Sequence, residues 1–478
     1  MKRPLAVAVA VAVAVAVAVP VALGLVLCSG VAGAKEAPPP AGPPRPFTLP
    51  KIQTFTLDNG MKVTLVPFGD IPRALVSLTV RAGGANITEK TRLVPDLYAR
   101  YLTEGTESRD AASLARAAAS MGGGLETDAD LFVTSVDSAV LAEKAPDMVR
   151  LIADVALHPA LPASELERLQ TDLIRMVAVR RGQAQVLAGE AARALMYSHH
   201  PFGYKLPPPE EIKSYTIEDV RAFGHGQMGA ARAHLYVVGL FDAAAVEAAA
   251  REAFAGWAAG KPASVPRVKP ATTRTLHLLD RPGAVQSSLW FGLPVIDPTN
   301  KDYLPLSVAN AILGGAFSSR ITSNIRENKG YTYSPNSAIA PVLGAATWAE
   351  RADVKSDVTG ASLKEIIKEI DGLAKAPPTK EELAAIERYL AGSFVIQMAT
   401  QQGILGQLLY VDLYGLPADY LETYVQRVLA VTPADVQRLT RTHLKPSKMT
   451  LVVVGDKATV KKQLAPFGTV VEEPTPSK

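Results

Sequence analysis

Two stretches of this chain are written on one plan. "TIEDVRAF…AHLYVVG" begins at Thr216 and ends at Gly239, and "TPADVQRL…MTLVVVG" begins at Thr432 and ends at Gly455. Both ends repeat at the same separation of 216 residues, with no gap. In each copy a Thr followed three residues on by Asp-Val reads as an N-capped helix, and the apolar run before the glycine reads as a buried strand. A period this long, in a chain of 478 residues, points to a duplicated domain. The body divides at "AAGKPASVPRVKPATT" (258–273), a Pro/Ala/Lys stretch without periodicity. The expected organisation is two homologous domains, 51–257 and 274–470, with a short tail at 471–478.

Each half mixes strands and helices. "QTFTLDNGMKVTLVPF" (53–68) is two strands around Asn59-Gly60, a strong hairpin signal. "ALVSLTVRAGG" (74–84) alternates as a strand, and "LETDADLFVTSVDS" (125–138) is a strand pair or one long strand. Helices are expected at about 91–103, 110–121, 140–156, 162–182 and 187–198. In the second half "QSSLWFGLP" (286–294) answers the 74–84 strand, and "DYLPLSVANAILGG" (302–315) answers the 91–103 helix. Strands and helices come in runs rather than in strict alternation. That predicts an α+β fold in which each domain is a mostly antiparallel sheet with helices packed on one face.

The N-terminus reads as a targeting segment. Lys2 and Arg3 precede an apolar run from Pro4 to Leu27, and "AGA" at 32–34 offers a small-x-small cleavage site. The expectation is a signal peptide over 1–34, then a Pro-rich tether over 35–50, in a chain exported across the inner membrane to a periplasm. Retention of the run as an uncleaved anchor is the alternative, since its length suffices to span a bilayer. Cys28 is the one cysteine, so a mature chain starting after Ala34 has neither disulfides nor thiolate metal sites. A net charge of +4 with no basic run argues against nucleic acid as a partner.

The order of several short motifs resembles one known family. "LDNGMKV", "TEGTESRD", "MGGGLET", "ALHPALP" and "HHPFGY" look like the first half of the insulinase/pitrilysin metallopeptidases. "NAILGGAFSSRITSNIRENKGYTYS" (310–334) is similar to the second-domain signature of that family. The resemblance covers about 50 to 470. It implies a pair of α+β domains and, in active members, a helix carrying H-x-x-E-H, in which two imidazoles one turn apart bind zinc and the Glu takes a proton from metal-bound water. A further glutamate ligand follows from a later helix.

Counted back from Gly105-Thr106, that frame places the first histidine on Asp96, the glutamate on Ala99 and the second histidine on Arg100. The later ligand falls near Met176, and no Asp or Glu occurs from Leu173 through Gly189. The chain is therefore expected to bind no metal itself, and Arg100 adds a fixed positive charge where a cation would sit. The seven histidines, at 158, 199, 200, 225, 234, 277 and 443, are expected to have no second histidine or carboxylate partner at the helical spacing and so not to rebuild a site. His199 and His200 read as a capped helix end at the surface, and His158 as a turn residue.

The resemblance also implies what remains. Arg326 and Tyr333 match a family Arg/Tyr pair, the first on a helix end and the second on the following strand, with Tyr331 expected on the same strand face as Tyr333. A guanidinium grips carbonyls or carboxylates, and a phenol can donate to an oxyanion. Gly124, Leu125, Glu126 and Thr127 match the strand edge that pairs with an extended peptide in the family. Two readings follow. In the first the chain is a zinc-less subunit that lends the Arg/Tyr pair and a peptide-binding surface to a zinc-bearing homologue, which then hydrolyses peptides or unfolded segments. In the second it is a non-catalytic peptide-binding or assembly scaffold of an envelope complex.

Overall fold

The computed structural model describes residues 48–474 except 199, 266, 272 and 273. The expected signal peptide, nearly all of the tether and His199 lie outside the described residues. The first sheet contains β1 (Gln53–Thr56), β2 (Lys62–Pro67), β3 (Arg73–Val80), β4 (Glu126–Ala129), β5 (Thr134–Leu141) and β6 (Ala233–Gly239). The second contains β7 (Leu276–Asp280), β8 (Gln286–Val295), β9 (Asn336–Val342), β10 (Ala345–Lys355), β11 (Thr450–Gly455) and β12 (Val470–Glu473).

The strand orders are β4-β5-β3-β6-β2-β1 and β9-β10-β8-β11-β7-β12. They run in the same sense, and five strands correspond one to one. Both sheets share one equivalent parallel pairing, β2 with β6 in the first and β7 with β11 in the second. The outermost strands differ. β1 closes an antiparallel hairpin on β2, while β12 returns from the C-terminal end and pairs parallel to β7. The hairpin turn follows its sequence. Gly60 takes φ +89°, which only glycine adopts without strain, and Asn59 anchors the turn by donating to the Phe254 carbonyl at 2.8 Å.

The 216-residue repeat is repeated in atomic detail. Thr216 Oγ1 accepts from the Asp219 N–H at 3.1 Å while Asp219 Oδ2 accepts from the Thr216 N–H at 2.8 Å. Thr432 and Asp435 make the same two bonds, each at 3.2 Å. These reciprocal bonds cap the helices Ile217–Gln227 and Pro433–His443, satisfying otherwise orphaned N–H groups. "LETDADLFVTSVDS" resolves into the antiparallel pair β4/β5.

Each half's own helices cover one sheet face, as the pattern predicts. Leu97, Tyr98, Ile152 and Leu173 pack on Val63, Val76 and Leu78 in the first half, and Leu304, Ile366 and Leu439 pack with Trp348 and Val453 in the second. The opposite faces are covered too, and by the other half. Helix Ala184–Met196 lays Leu187, Ala188, Ala191 and Ala192 against Trp290, Val452 and Val454 of the second sheet. Helices Lys380–Met398 and Gln401–Tyr414 lay Phe394, Met398, Ile404 and Leu405 against Val66, Leu75, Tyr236 and Val238 of the first. Small side chains on Ala184–Met196 favour the helix and let it approach the sheet closely. The two halves thus exchange helices reciprocally.

Glu350, in the second half, is a buried charge-bearing group without a well-directed partner. Glu350 is 1% exposed on β10, and neither carboxyl oxygen is satisfied. Gly314 makes the room, since a Cβ there would stand 2.6 Å from Glu350 Oε2 and from Ser337 Oγ. Burial pushes the Glu350 carboxyl well above its usual value, and the Asn336 N–H and Arg351 offset this only in part. The folded state therefore holds this proton more tightly than the unfolded chain. The contribution of Glu350 is full below the unfolded value near 4.5 and falls as pH rises from there toward the folded value, by about 1.4 kcal/mol per pH unit. Glu350→Gln is expected to flatten that decline, so urea melts at pH 5 and pH 8 should differ less in the variant than in the parent.

Candidate functional site

Helix Val94–Tyr101 opens with Pro95 in its first turn and buries Leu97, Tyr98 and Tyr101 in the first core. That orientation turns Asp96, Ala99 and Arg100 toward a cleft of about 760 Å³. Helix Leu166–Arg181 brings Met176 to the same cleft. Arg100 Nη2 lies 3.7 Å from Met176 Sδ. The positions that the family frame assigns to its metal ligands and base are thus assembled in space, but with a carboxyl, a methyl, a guanidinium and a thioether. A guanidinium cannot ligate a cation, and one carboxylate plus one soft thioether fall short of the three or four N, O or S donors that zinc takes. The residues present do not fit zinc. Among the described residues no group of three His, Cys, Asp or Glu side chains is disposed to hold a metal ion.

Asp96 has a distinctive environment. Burial pushes its carboxyl up to about 7, with Arg180 and Arg100 pulling down and Asp128 adding to the rise. Burial also lowers the Arg193 guanidinium from its ordinary value. Arg193 reaches the cleft from helix Ala184–Met196, the helix that crosses to the second sheet.

The cleft is bordered by β4, the edge strand of the first sheet. β4 hydrogen-bonds only to β5, so its outer edge pairs with no strand among the described residues. Of the residues expected to contact a peptide, Leu125 and Thr127 line the cleft, as do Asp128 and Ala129. Gly124 and Glu126 are exposed beside it and do not line it. The structure therefore brings this edge together with Asp96, Ala99, Arg100 and Met176.

Arg326 and Tyr333 are brought together elsewhere. Arg326 sits in a π-helical turn, Thr322–Asn328, a geometry frequent at functional sites. Its Cζ lies 4.8 Å from the Tyr333 ring centroid and 4.5 Å from that of Phe317, and its Nε lies 3.0 Å from Glu327 Oε1. The guanidinium is sandwiched between two rings that are themselves 68% and 78% exposed, Phe317 and Tyr333. Neither Arg326 nor Tyr333 lines the first-half cleft. Phe317 was missed in the sequence. Its signal was its place in "GGAFSSR", inside the quoted motif but nine residues from Arg326.

Three local expectations need correction. Tyr333 is not on a strand; it lies in the irregular link before β9, where only Thr332 makes a bridge, to Val354. Regular alternation fails there, so Tyr331 packs on the second core while Tyr333 faces solvent. His200 is 7% exposed rather than at the surface, and its Nδ1 accepts from the Phe202 N–H at 3.1 Å, starting the turn Pro201–Gly203. His158, at the end of helix Ala145–Leu157, does have a carboxylate one turn away, Asp154, with Nδ1 to Oδ1 4.0 Å. Asp154 is also engaged by Arg109, Thr106 and Ser108, which makes it a structural anchor.

The comparisons with known proteins agree with this architecture. Residues 70–210 match the family described as Insulinase (Peptidase family M16), and residues 214–390 match Peptidase M16 inactive domain. An uncharacterized zinc protease of Streptomyces coelicolor is 20% identical over 85% of this chain and 90% of its own length. A protein of Helicobacter pylori named as a non-peptidase homolog is 20% identical over 81% of this chain and 90% of its own. The crystal structure of a peptidase M16 inactive domain from Pseudomonas fluorescens superposes with a TM-score of 0.77 at 25% identity, covering 88% of this chain and all of that one. With two matched segments spanning well over half its length, in the order the family requires, this chain belongs to the insulinase family, peptidase family M16.

Proposed function

We propose that this chain is the zinc-less subunit of an M16-type peptidase in the cell envelope. It contributes Arg326, Tyr333 and the β4 edge to a zinc-bearing homologue that cleaves peptides or unfolded segments. The observation that carries this reading is a contrast. The ligand positions hold Asp96, Ala99, Arg100 and Met176, while Arg326 and Tyr333 stand together at the surface, stacked and free of the first-half cleft. A cation and a phenol held outward suit stabilisation of charge that develops on a substrate bound by another chain. The free edge of β4 suits main-chain pairing with an extended polypeptide, which gives affinity without sequence reading.

The test is co-expression with an H-x-x-E-H homologue from the same genome, purification of the mixture, and assay on a quenched fluorogenic peptide. The chain alone should cleave nothing. In the mixture Arg326→Ala and Tyr333→Phe should each lower kcat/KM by roughly a hundredfold, the scale of losing one oxyanion donor. Unchanged hydrolysis would sink this reading. A second reading is a peptide-binding or assembly scaffold. The specific observation in its favour is that the cleft and free edge of β4 are complete without Arg326 and Tyr333. A stable complex recovered with non-peptidase envelope proteins, and no effect of the two variants on any peptidase, would establish it instead.

A further inference from the structure

The first-half cleft holds guanidinium groups that its internal ion pairs do not neutralise. Arg92 is engaged by Glu211 through two hydrogen bonds of 2.9 and 2.6 Å. Arg168 is engaged by Glu104, Glu165 and Asp172. Arg100, Arg180 and Arg193 are different. Arg100 donates only to the Met176 sulfur, and among the described residues none of the three has a carboxylate oxygen within 4.0 Å. Each comes from a separate helix, Val94–Tyr101, Leu166–Arg181 and Ala184–Met196, and all three line the cleft beside the free edge of β4. Arg193 is half-buried with its Cζ 5.9 Å from the Phe202 ring centroid, a weak substitute for an anion. Arg193 is desolvated and feels Glu190 only at longer range, while Arg100 and Arg180, the latter exposed, face Asp96 without an ion pair, so three guanidinium forks in one cleft remain open to an anionic ligand. A planar guanidinium matches a carboxylate through paired donors.

We propose that the cleft is a carboxylate-binding site, in which Arg100, Arg180 and Arg193 take a carboxylate of an extended polypeptide laid along β4. This rests on the peptide-binding reading of that edge and adds the chemistry of what is bound. The carboxylate comes from the C-terminus of the polypeptide or from an Asp or Glu side chain. The metal centre of the family has been exchanged for an anion site at the same place in the fold.

Asp96 makes the site sensitive to pH. The charged groups around it are Arg100 on its own helix, Arg180 on the helix packed against it, and Asp128 on β4. Below about 7 its carboxyl is neutral; above, its charge opposes a ligand carboxylate, which itself remains ionised down to about 4. Binding should therefore be tighter at pH 6 than at pH 8.

The experiment is fluorescence anisotropy on the full chain with three labelled peptides of one uncharged sequence: a C-terminal acid, a C-terminal amide, and an amide with one internal Glu. At least one acidic peptide is expected to bind roughly tenfold more tightly than the neutral amide, the scale of a charge-assisted hydrogen bond. Which acidic peptide gains identifies the source of the carboxylate. The gain should vanish in Arg193→Gln and in Arg180→Gln, the second at an exposed position that tolerates change, with folding checked by circular dichroism. It should persist at pH 8 in Asp96→Asn. Equal binding of all three peptides would overturn the carboxylate site and leave the edge-pairing reading standing. Binding of none would overturn both.

Discussion

Asp96→His, Ala99→Glu, Arg100→His and Met176→Glu, combined in one variant, should turn a chain that takes up no zinc into one that binds one zinc ion per molecule. The geometry for this is in place. Positions 96 and 100 are one turn apart on helix Val94–Tyr101, and Arg100 already touches Met176 across the helix pair. Two imidazoles and a carboxylate would occupy three tetrahedral corners, leaving the fourth to water. Such sites bind with apparent free energies on the order of 10 kcal/mol, so dialysed variant protein should retain stoichiometric metal by elemental analysis. The parent chain, treated identically, should retain none. Stoichiometric zinc on the parent, lost on changing Asp96 or Arg100, would refute the account of the site given above.

Trp290→Ala should destabilise the protein by about 3–5 kcal/mol, the range for removing a large aromatic from a packed core. Trp290 is 2% exposed and lies in the core shared between helix Ala184–Met196 and the second sheet. Because that core joins the halves, the loss should appear in both at once. Urea unfolding followed by far-ultraviolet circular dichroism and by tyrosine fluorescence should give one coincident, shifted transition. Two separated transitions would show that the halves are independent.

Much of this architecture was legible locally. Thr216 and Thr432 are read as N-caps because the side-chain oxygen and the Asp three residues on are sufficient to close the capping box. Asn59-Gly60 is read as a turn because the backbone there needs φ > 0. The positions of Asp96, Ala99, Arg100 and Met176 followed from counting along a frame, and the two helices bring them to one cleft. The exchange of helices was not legible. The apolar stripe of Ala184–Met196 has the same period whichever sheet it covers, so periodicity is silent about the destination. Tyr331 and Tyr333 were misread because alternation holds only in regular strand, and residues 331–335 are irregular. Glu350 shares the core-facing side of β10 with Trp348, Ala352 and Val354, and the space left by Gly314 makes room for its carboxyl. Arg193 is unremarkable in a helical pattern, and its place in the cleft depends on how that helix leaves the first half.

The reciprocal loan of helices has a bearing on how such a chain can diverge. A substitution in helix Ala184–Met196 is felt by a sheet encoded about a hundred residues downstream, and one in Gln401–Tyr414 by a sheet near the beginning of the chain. Neither copy of the ancestral duplication can drift freely, trade places with a foreign homologue, or be expressed as a separate piece without stripping its sibling of a wall. Chemistry confined to a few cleft-facing side chains carries no such tie, which is why a lineage can surrender its metal and keep its outline intact.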